Sequence, residues 1–187
     1  MSGGGEQTSD GSRRVALLRG INLGGGRTVP MAKLRAVAEG LGWSDVSTYL
    51  QSGNLIFVSG EPDAQAARRL TSAIRGEFGL DVDVVVRTGA QLRMLVDAHP
   101  FAGGDPSRVV IACCDRPVGE LAARRLADLA AGAERVEVAA TGTDVYADFP
   151  DGQAGSRLAA SLVSVLRPGT GTARNLRTMT KVAELLG

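Results

Sequence analysis

The chain has 187 residues, of which 44% are hydrophobic and 22% are charged. These values are those of an ordinary globular chain, and they exclude collagen-like, disordered and coiled-coil proteins. Lys and Arg number 21 against 20 Asp and Glu, which gives a formal net charge of +1. The chain as a whole therefore has no bulk attraction for nucleic acid or anionic lipid, and an anion would have to bind at a local cluster of basic groups.

The apolar runs are too short for a membrane protein. The run Val109–Cys114 falls far below the roughly 20 residues that a membrane-spanning helix needs. Residues 1–12 have neither a basic start nor an apolar stretch, so they predict a flexible tail and no secretory signal. We expect a cytoplasmic protein without a membrane partner.

The first half of the chain, residues 13–89, predicts the order βαββαβ. Thr28 can cap the first helix, Pro30 suits its first turn, and a tight turn at 51–54, where glycine and asparagine can adopt positive φ, joins the middle strands. The predicted elements are a strand at 15–21, a helix from 28 to 41, strands at 46–50 and 55–59, a helix at 62–78 and a strand at 82–87. This order is typical of a ferredoxin-like sandwich.

The second half repeats most of that order after a linking helix and loop at 90–107. Its predicted elements are a strand at 108–114, a helix at 118–131, strands at 135–140 and 145–149, a helix at 156–166 and a last helix at 175–186. The sixth element is predicted not to be a strand. The sequence thus predicts an α+β fold of two ferredoxin-like lobes in one compact body, the second (108–187) incomplete and followed by a C-terminal helix. Residues 55–58 and 82–86 of the first half are apolar at most positions, so these strands require cover on both sheet faces, which the other half or the linking and C-terminal helices would supply.

Topology brings two polar, glycine-bearing segments to the same end of the first sheet, residues 19–27 and the turn at 51–54. The first segment leads into a helix N-terminus, which favours an anion. Arg19, Arg27 and Lys33 lie nearby, so a phosphate or carboxylate is a plausible ligand. The candidate ligand-binding residues are Arg19, Asn22, Gly24, Gly25, Arg27, Lys33, Gln51, Ser52, Asn54, Arg174, Asn175 and Lys181.

Other ionisable groups give weaker signals. Cys113 and Cys114 are adjacent in an apolar strand, which predicts buried, inert thiols. His99 is the only histidine and no carboxylates cluster at ligand spacing, so we expect neither a metal nor another cofactor. Three aspartates around the last hairpin are assigned to solvated loop positions: Asp144, Asp148 and Asp151.

Several segments of the chain resemble the domain-of-unknown-function 1697 family of bacterial proteins, from about Val15 to the C-terminus. They are Leu18–Gly25, Val29–Arg35, Thr48–Phe57 and Thr172–Asn175, with Thr178 and Lys181. The resemblance implies a compact cytosolic α/β protein of two ferredoxin-like lobes, with no established activity. Arg157 and Leu176 stand where the family usually carries Lys and Trp, and Leu176 cannot stack on a base.

Three functional classes remain open. A binding module would hold an anionic small molecule or, less favoured, an RNA end on Arg19, the glycine-rich loop and Arg174. A structural or protein-interaction module would use Asn22 and Asn54 to tie loops together and Arg19 in an ion pair. An enzyme acting on a phosphorylated or nucleotide substrate would orient it with polar side chains, although the sequence offers no obvious acid or base. The oligomeric state is left unassigned.

Overall fold

Two four-stranded antiparallel sheets contain the strands of residues 11–22 and 28–187, the part of the chain that the computed structural model describes. The first half consists of β1 (Ser12–Leu18), α1 (Met31–Gly40), β2 (Ser44–Tyr49), β3 (Asn54–Ser59), α2 (Asp63–Phe78) and β4 (Val84–Thr88). Helix α3 (Gly89–Asp97) leads into the second half. That half consists of β5 (Val109–Cys114), α4 (Glu120–Leu129), β6 (Arg135–Val138), β7 (Asp144–Asp148), α5 (Arg157–Ser161), a short 3-10 helix (Ser164–Leu166), β8 (Gly171–Asn175) and α6 (Leu176–Leu186).

The strand order is the same in both halves. The first sheet runs β2-β3-β1-β4 and the second β6-β7-β5-β8, and each first strand is central because its apolar residues are buried on both faces. Helix α2 buries Ala66, Leu70 and Ile74, which recur every four residues along one side. It ends at Gly79, whose φ of 65° suits the left-handed cap that glycine adopts without strain.

The central core joins the two halves. It contains side chains from β1 and β4 of the first sheet and β5 of the second, such as Val15, Val85 and Ile111, and from helices α3 and α6, such as Leu95 and Met179. The prediction that the other half and these two helices cover the bare sheet faces is confirmed. The outer faces carry separate cores, under α1 and α2 in the first half and under α4 and α5 in the second.

The predicted sixth element of the second half was wrong. A strand, β8, pairs antiparallel with β5 in the register Ala112 to Ala173, so the second sheet has the same number of strands as the first. The segment Gly171–Asn175 has too few β-branched or aromatic residues to predict a strand. The strand forms because β5 supplies hydrogen-bond partners for the main chain of β8, and the local sequence of β8 gives no sign of this pairing.

Three local features differ from the prediction. Strand β1 begins at Ser12, inside the predicted tail, because Ser12 pairs with Ser59 of β3. Helix α1 has Pro30 as its N-cap without a side-chain cap, so Thr28 does not cap it. The helix predicted at 156–166 divides into α5 and the 3-10 turn. The predicted domain boundaries at 89/90 and 107/108 stay predictions.

No helix within the described ranges is long and apolar enough to cross a membrane. Cys113 and Cys114 are both buried and free, as predicted, and burial raises the pKa of each thiol.

Candidate functional site

The two polar segments predicted to meet at one end of the first sheet do meet there. The side-chain amide of Asn22 donates to the carbonyl of Gln51 at 2.8 Å and to that of Val29 at 3.0 Å. Its oxygen accepts the Val29 N–H at 2.8 Å. Asn22 has a φ of 56°, which Asn tolerates better than most residues. It therefore ties both ends of the glycine-rich segment to the β2–β3 turn.

The turn itself is held by Asn54 and Gly53. Asn54 is fully buried and donates from Nδ2 to the Tyr49 carbonyl at 2.8 Å and to Ser52 Oγ at 3.2 Å. Gly53 has a φ of 81°, and a Cβ there would lie 2.9 Å from that of Leu18, so both conformation and space require glycine. Asn54 lies at the start of β3, and the second positive φ of the turn belongs to Leu50 instead.

Arg174 reaches this turn from the second half. It lies on β8, and its guanidinium donates to Asn54 Oδ1 at 2.8 Å, to the Leu18 carbonyl at 2.6 Å and to the Ser52 carbonyl at 2.7 Å. Further bonds go to its own strand, at Thr172 Oγ1 and the Ala173 carbonyl. The guanidinium thus donates its hydrogen bonds to acceptors inside the protein and connects the two halves.

No carboxylate pairs with Arg174 in the described chain, and its charge is neutralised only by dipoles. Burial lowers the pKa of Arg174 to about 10. A guanidinium saturated with hydrogen bonds and largely enclosed has little capacity left for a ligand. Asn22, Asn54 and Arg174 accordingly act as connections within the fold.

Arg19 belongs to an ion cluster that also crosses between the halves. Its guanidinium lies 3.3 Å from Asp83 Oδ2, and Arg167 of the second half lies 3.0 Å from the same oxygen. A main-chain hydrogen bond also joins Arg19 to Asp83 within the first half, since the Arg19 N–H donates to the Asp83 carbonyl at 3.0 Å. The Arg19 and Asp83 side chains are 36% and 26% exposed, so this is a half-exposed cluster of two cations and one anion.

The remaining predicted site residues are dispersed or lie elsewhere. Lys33 lies 4.0 Å from Glu77 on the exposed side of α1, and Lys181 pairs with Glu184 at 2.9 Å. Asn175 caps α6 by accepting the N–H of Thr178. Gly24, Gly25 and Arg27 lie outside the described residues.

A cavity of about 430 Å³ opens beside this ion cluster, in the second half. It lies between the first turn of α4 and the segment 165–169, and Arg167 connects it to Asp83 and Arg19. Its apolar lining residues are Cys114, Pro117, Val118, Gly119, Leu121, Ala122, Val165, Leu166, Pro168 and Gly169. The volume falls within the range of small-molecule sites, which is roughly 300–1,000 Å³.

Three arginines line the same cavity: Arg116, Arg125 and Arg167. Arg116 and Arg125 are exposed and have no carboxylate partner in the described part of the chain. Glu120, the first residue of α4, pairs with Arg124 at 3.3 Å and does not line the cavity. The cavity therefore combines an apolar floor with unmatched positive charge.

The sequence analysis missed these arginines. A signal was available, because Arg116 and Arg167 each precede a proline at the end of an apolar element, a pattern typical of turns. Only the fold places the two turns on the same cavity.

A second polar cluster joins the two halves and has a structural role. Arg87 of β4 lies 2.8 Å from Asp144 Oδ1, with side chains only 12% and 2% exposed. Thr141 and Thr143 donate hydroxyl hydrogens to the other Asp144 oxygen, at 2.8 and 2.9 Å. The assignment of Asp144 to solvated loop was thus wrong, as was that of Asp148, which is buried and paired with Arg135.

Within the described residues, no group of three or more His, Cys, Asp or Glu side chains could hold a metal ion.

Comparison with known proteins identifies a family and a fold. The chain is similar to a conserved bacterial protein, SP0830 from Streptococcus pneumoniae, with a TM-score of 0.72 and 20% sequence identity over 94% of this chain and 99% of that one. No curated protein matches the chain. The model of the family described as "Protein of unknown function (DUF1697)" matches residues 12–146, and the chain therefore belongs to this family.

Proposed function

We propose that the protein binds an anionic small molecule that carries an apolar group, in the cavity lined by Arg116, Arg125 and Arg167. The observation that carries this proposal is the combination in one cavity of an apolar floor and two arginines without a carboxylate partner in the described chain. Guanidinium groups form strong, directional hydrogen bonds to phosphate and carboxylate. The apolar part of the ligand would displace water from Val118, Leu121 and their neighbours.

The ionisable groups favour binding over acid–base catalysis. Among the described lining residues only the three arginines and Cys114 can ionise, and burial raises the pKa of the Cys114 thiol. Arginine is not a side chain that serves as a general acid or base, and a thiol of raised pKa is a poor one near neutral pH. The alternatives of an enzyme and of a structural module receive less support.

The topology of the two halves supports a further assignment. Each half has the element order βαββαβ and the same antiparallel strand order, β2-β3-β1-β4 and β6-β7-β5-β8. We propose that both are ferredoxin-like units, the second complete. The predicted anion site at the glycine-rich loop stays a prediction.

The test is isothermal titration at low salt with phenyl phosphate, inorganic phosphate and benzyl alcohol. We expect phenyl phosphate to bind more tightly than either of the others, since only it satisfies both the arginines and the apolar floor. The double variant Arg116→Ala, Arg125→Ala should weaken phenyl phosphate binding at least 10-fold, because hydrogen bonds to charged groups contribute roughly 1.5–3 kcal/mol each. Arg124→Ala, on the same helix as Arg125 and paired with Glu120, is the matched control and should bind normally.

Two further variants separate the charged and apolar parts of the site. Ala122→Phe should fill the floor and weaken phenyl phosphate without weakening inorganic phosphate. Asp83→Asn should release Arg167 from its partner and tighten both anions. Absence of binding heat at millimolar phenyl phosphate, or equal binding by the double variant and the control, would contradict the proposal.

A further inference from the structure

The two sheets of the described chain end in four edge strands, β2 and β4 in the first and β6 and β8 in the second. Strands β4 and β8 contact each other where the two halves pack, so neither is a free edge. The pairing of β2 with β3 shifts in register between Ser44 and Ser47, and Asp45 there has a φ of 49°. Such an irregularity protects an edge against further pairing. Strand β6 pairs with β7 in a continuous register and has neither of these protections.

The main chain of β6 has hydrogen-bonding groups on its open side. The Ala139 N–H donates to the Asp144 carbonyl of β7 at 2.8 Å. Because hydrogen-bonding direction alternates along a strand, the main-chain groups of Val136 and Val138 point away from β7. Within the described residues these groups have no hydrogen-bond partner. Both valines pack against the core under α4, yet neither is fully buried, as expected of an accessible edge.

The exposed side chains of β6 have opposite charges. Arg135 and Glu137 lie on the same face of the strand, because residues two apart share a face. Asp148 holds Arg135 in place by accepting from its Nε at 3.1 Å and its Nη2 at 2.5 Å, and the ring of Phe101 lies 4.7 Å from the guanidinium carbon. In the described chain, neither Nη1 of Arg135 nor the carboxylate of Glu137 has a hydrogen-bond partner. The edge therefore carries one available charged donor and one available charged acceptor.

Only one antiparallel register of two β6 strands brings these opposite charges together. A two-fold axis at Val136 places Arg135 of each copy opposite Glu137 of the other and pairs Val136 with its counterpart. The adjacent registers that keep the outward main-chain groups facing each other place the axis at Arg135 or at Glu137, where two like charges would meet. In the favoured register, each Val138 N–H also faces the Glu134 carbonyl of the other copy.

We propose that two copies of the chain associate through β6, which joins their second sheets into one continuous sheet. Main-chain hydrogen bonds would supply the affinity, and the two Arg135–Glu137 pairs would select the register. Strand β6 has only four residues, so the interface is small and the dimer is expected to be weak and concentration-dependent. No residue of β6 lines the cavity of Arg116 and Arg125, so this inference is independent of the proposed small-molecule site.

Sedimentation velocity over micromolar to millimolar protein tests the proposal. We expect a reversible equilibrium of monomer and dimer that shifts toward monomer as salt concentration rises. Glu137→Lys places a second cation opposite each Arg135, and it should weaken dimerisation about 10-fold or more. Glu39→Lys makes the same change in charge at an exposed position of α1 in the first half. This matched control should leave the dimer unchanged.

Two measurements test the main-chain pairing itself. Val136→Pro removes an outward N–H and keeps the hydrogen bonds between β6 and β7, and circular dichroism checks that the variant folds. Each dimer loses two hydrogen bonds, which should weaken dimerisation about 30-fold. In the unmodified protein, hydrogen exchange at the Val136 and Val138 amides should slow as protein concentration rises, because only the dimer protects them.

Three results would overturn the proposal. The first is a protein that stays monomeric at millimolar concentration. The second is a dimer that Glu137→Lys leaves intact, which would assign association to another surface. The third is a dimer in which exchange at Val136 and Val138 is independent of concentration, which would show charge attraction without strand pairing. Glu137→Lys should bind phenyl phosphate normally, so the two proposals fail separately.

Discussion

Replacing Arg174 with alanine should destabilise the protein and weaken the connection between its halves. Two acceptors of the first half would lose the donor that they have in the described chain: the Ser52 carbonyl at 2.7 Å and Asn54 Oδ1 at 2.8 Å. The Leu18 and Gly53 carbonyls would each lose one hydrogen bond and keep another, from the Thr172 hydroxyl and from the Leu18 N–H. Each buried acceptor left without a partner costs roughly 1–3 kcal/mol, which sums to roughly 2–6 kcal/mol for the two. Two effects reduce this loss. Water can enter the vacated space, and the variant no longer buries a guanidinium, whose burial is unfavourable enough to lower the pKa of Arg174. We therefore expect a loss of about 3 kcal/mol.

Urea denaturation measures this loss, followed both by far-ultraviolet circular dichroism and by the fluorescence of Trp43. Trp43 is buried in the first half, stacked on Phe57 at 3.9 Å, so its signal reports that half. We expect the two transitions to coincide in the unmodified protein and to separate in Arg174→Ala. Arg177→Ala, an exposed neighbour 3.9 Å from Asp105, is the control and should change stability by less than about 1 kcal/mol. A loss below about 1 kcal/mol for Arg174→Ala would refute the assignment of Arg174 as the connection.

Two further predictions concern the loop tie and the buried thiols. Asn22→Ala should destabilise more than Asn22→Gly, by about 1–2 kcal/mol in thermal or urea unfolding, because both lose the side-chain bonds and only alanine is strained at a φ of 56°. Equal losses would show that backbone strain is not involved. Burial raises the pKa of Cys113 and Cys114 above the ordinary 9.0, so the unfolded chain releases these protons first and stability should fall as pH rises above about 9. Cys113→Ala should show a shallower decline, and a thiol reagent at pH 8 should modify the folded protein no faster than it unfolds; rapid modification would contradict the burial argument.

Local pattern was enough to predict most of the elements. Helices α2 and α6 follow from apolar residues at helical spacing, and β5 from an unbroken apolar run, because these periodicities reflect the burial of one side or of both faces. The meeting of Asn22 with the β2–β3 turn also followed from the sequence, since the βαββαβ order fixes which strand ends share an edge.

The tertiary structure decided what those elements do. Strand β8 exists because β5 offers it a main-chain edge, and its own residues carry little strand preference. Arg174 reaches acceptors of the first half only because the two halves pack together. Arg116 and Arg125 line one cavity because the fold of the second half brings the start of α4 against the segment 165–169. An arginine has the same charge in every sequence pattern, and whether it is saturated by carbonyls, shared with Asp83 or left unmatched depends on acceptors supplied by other elements.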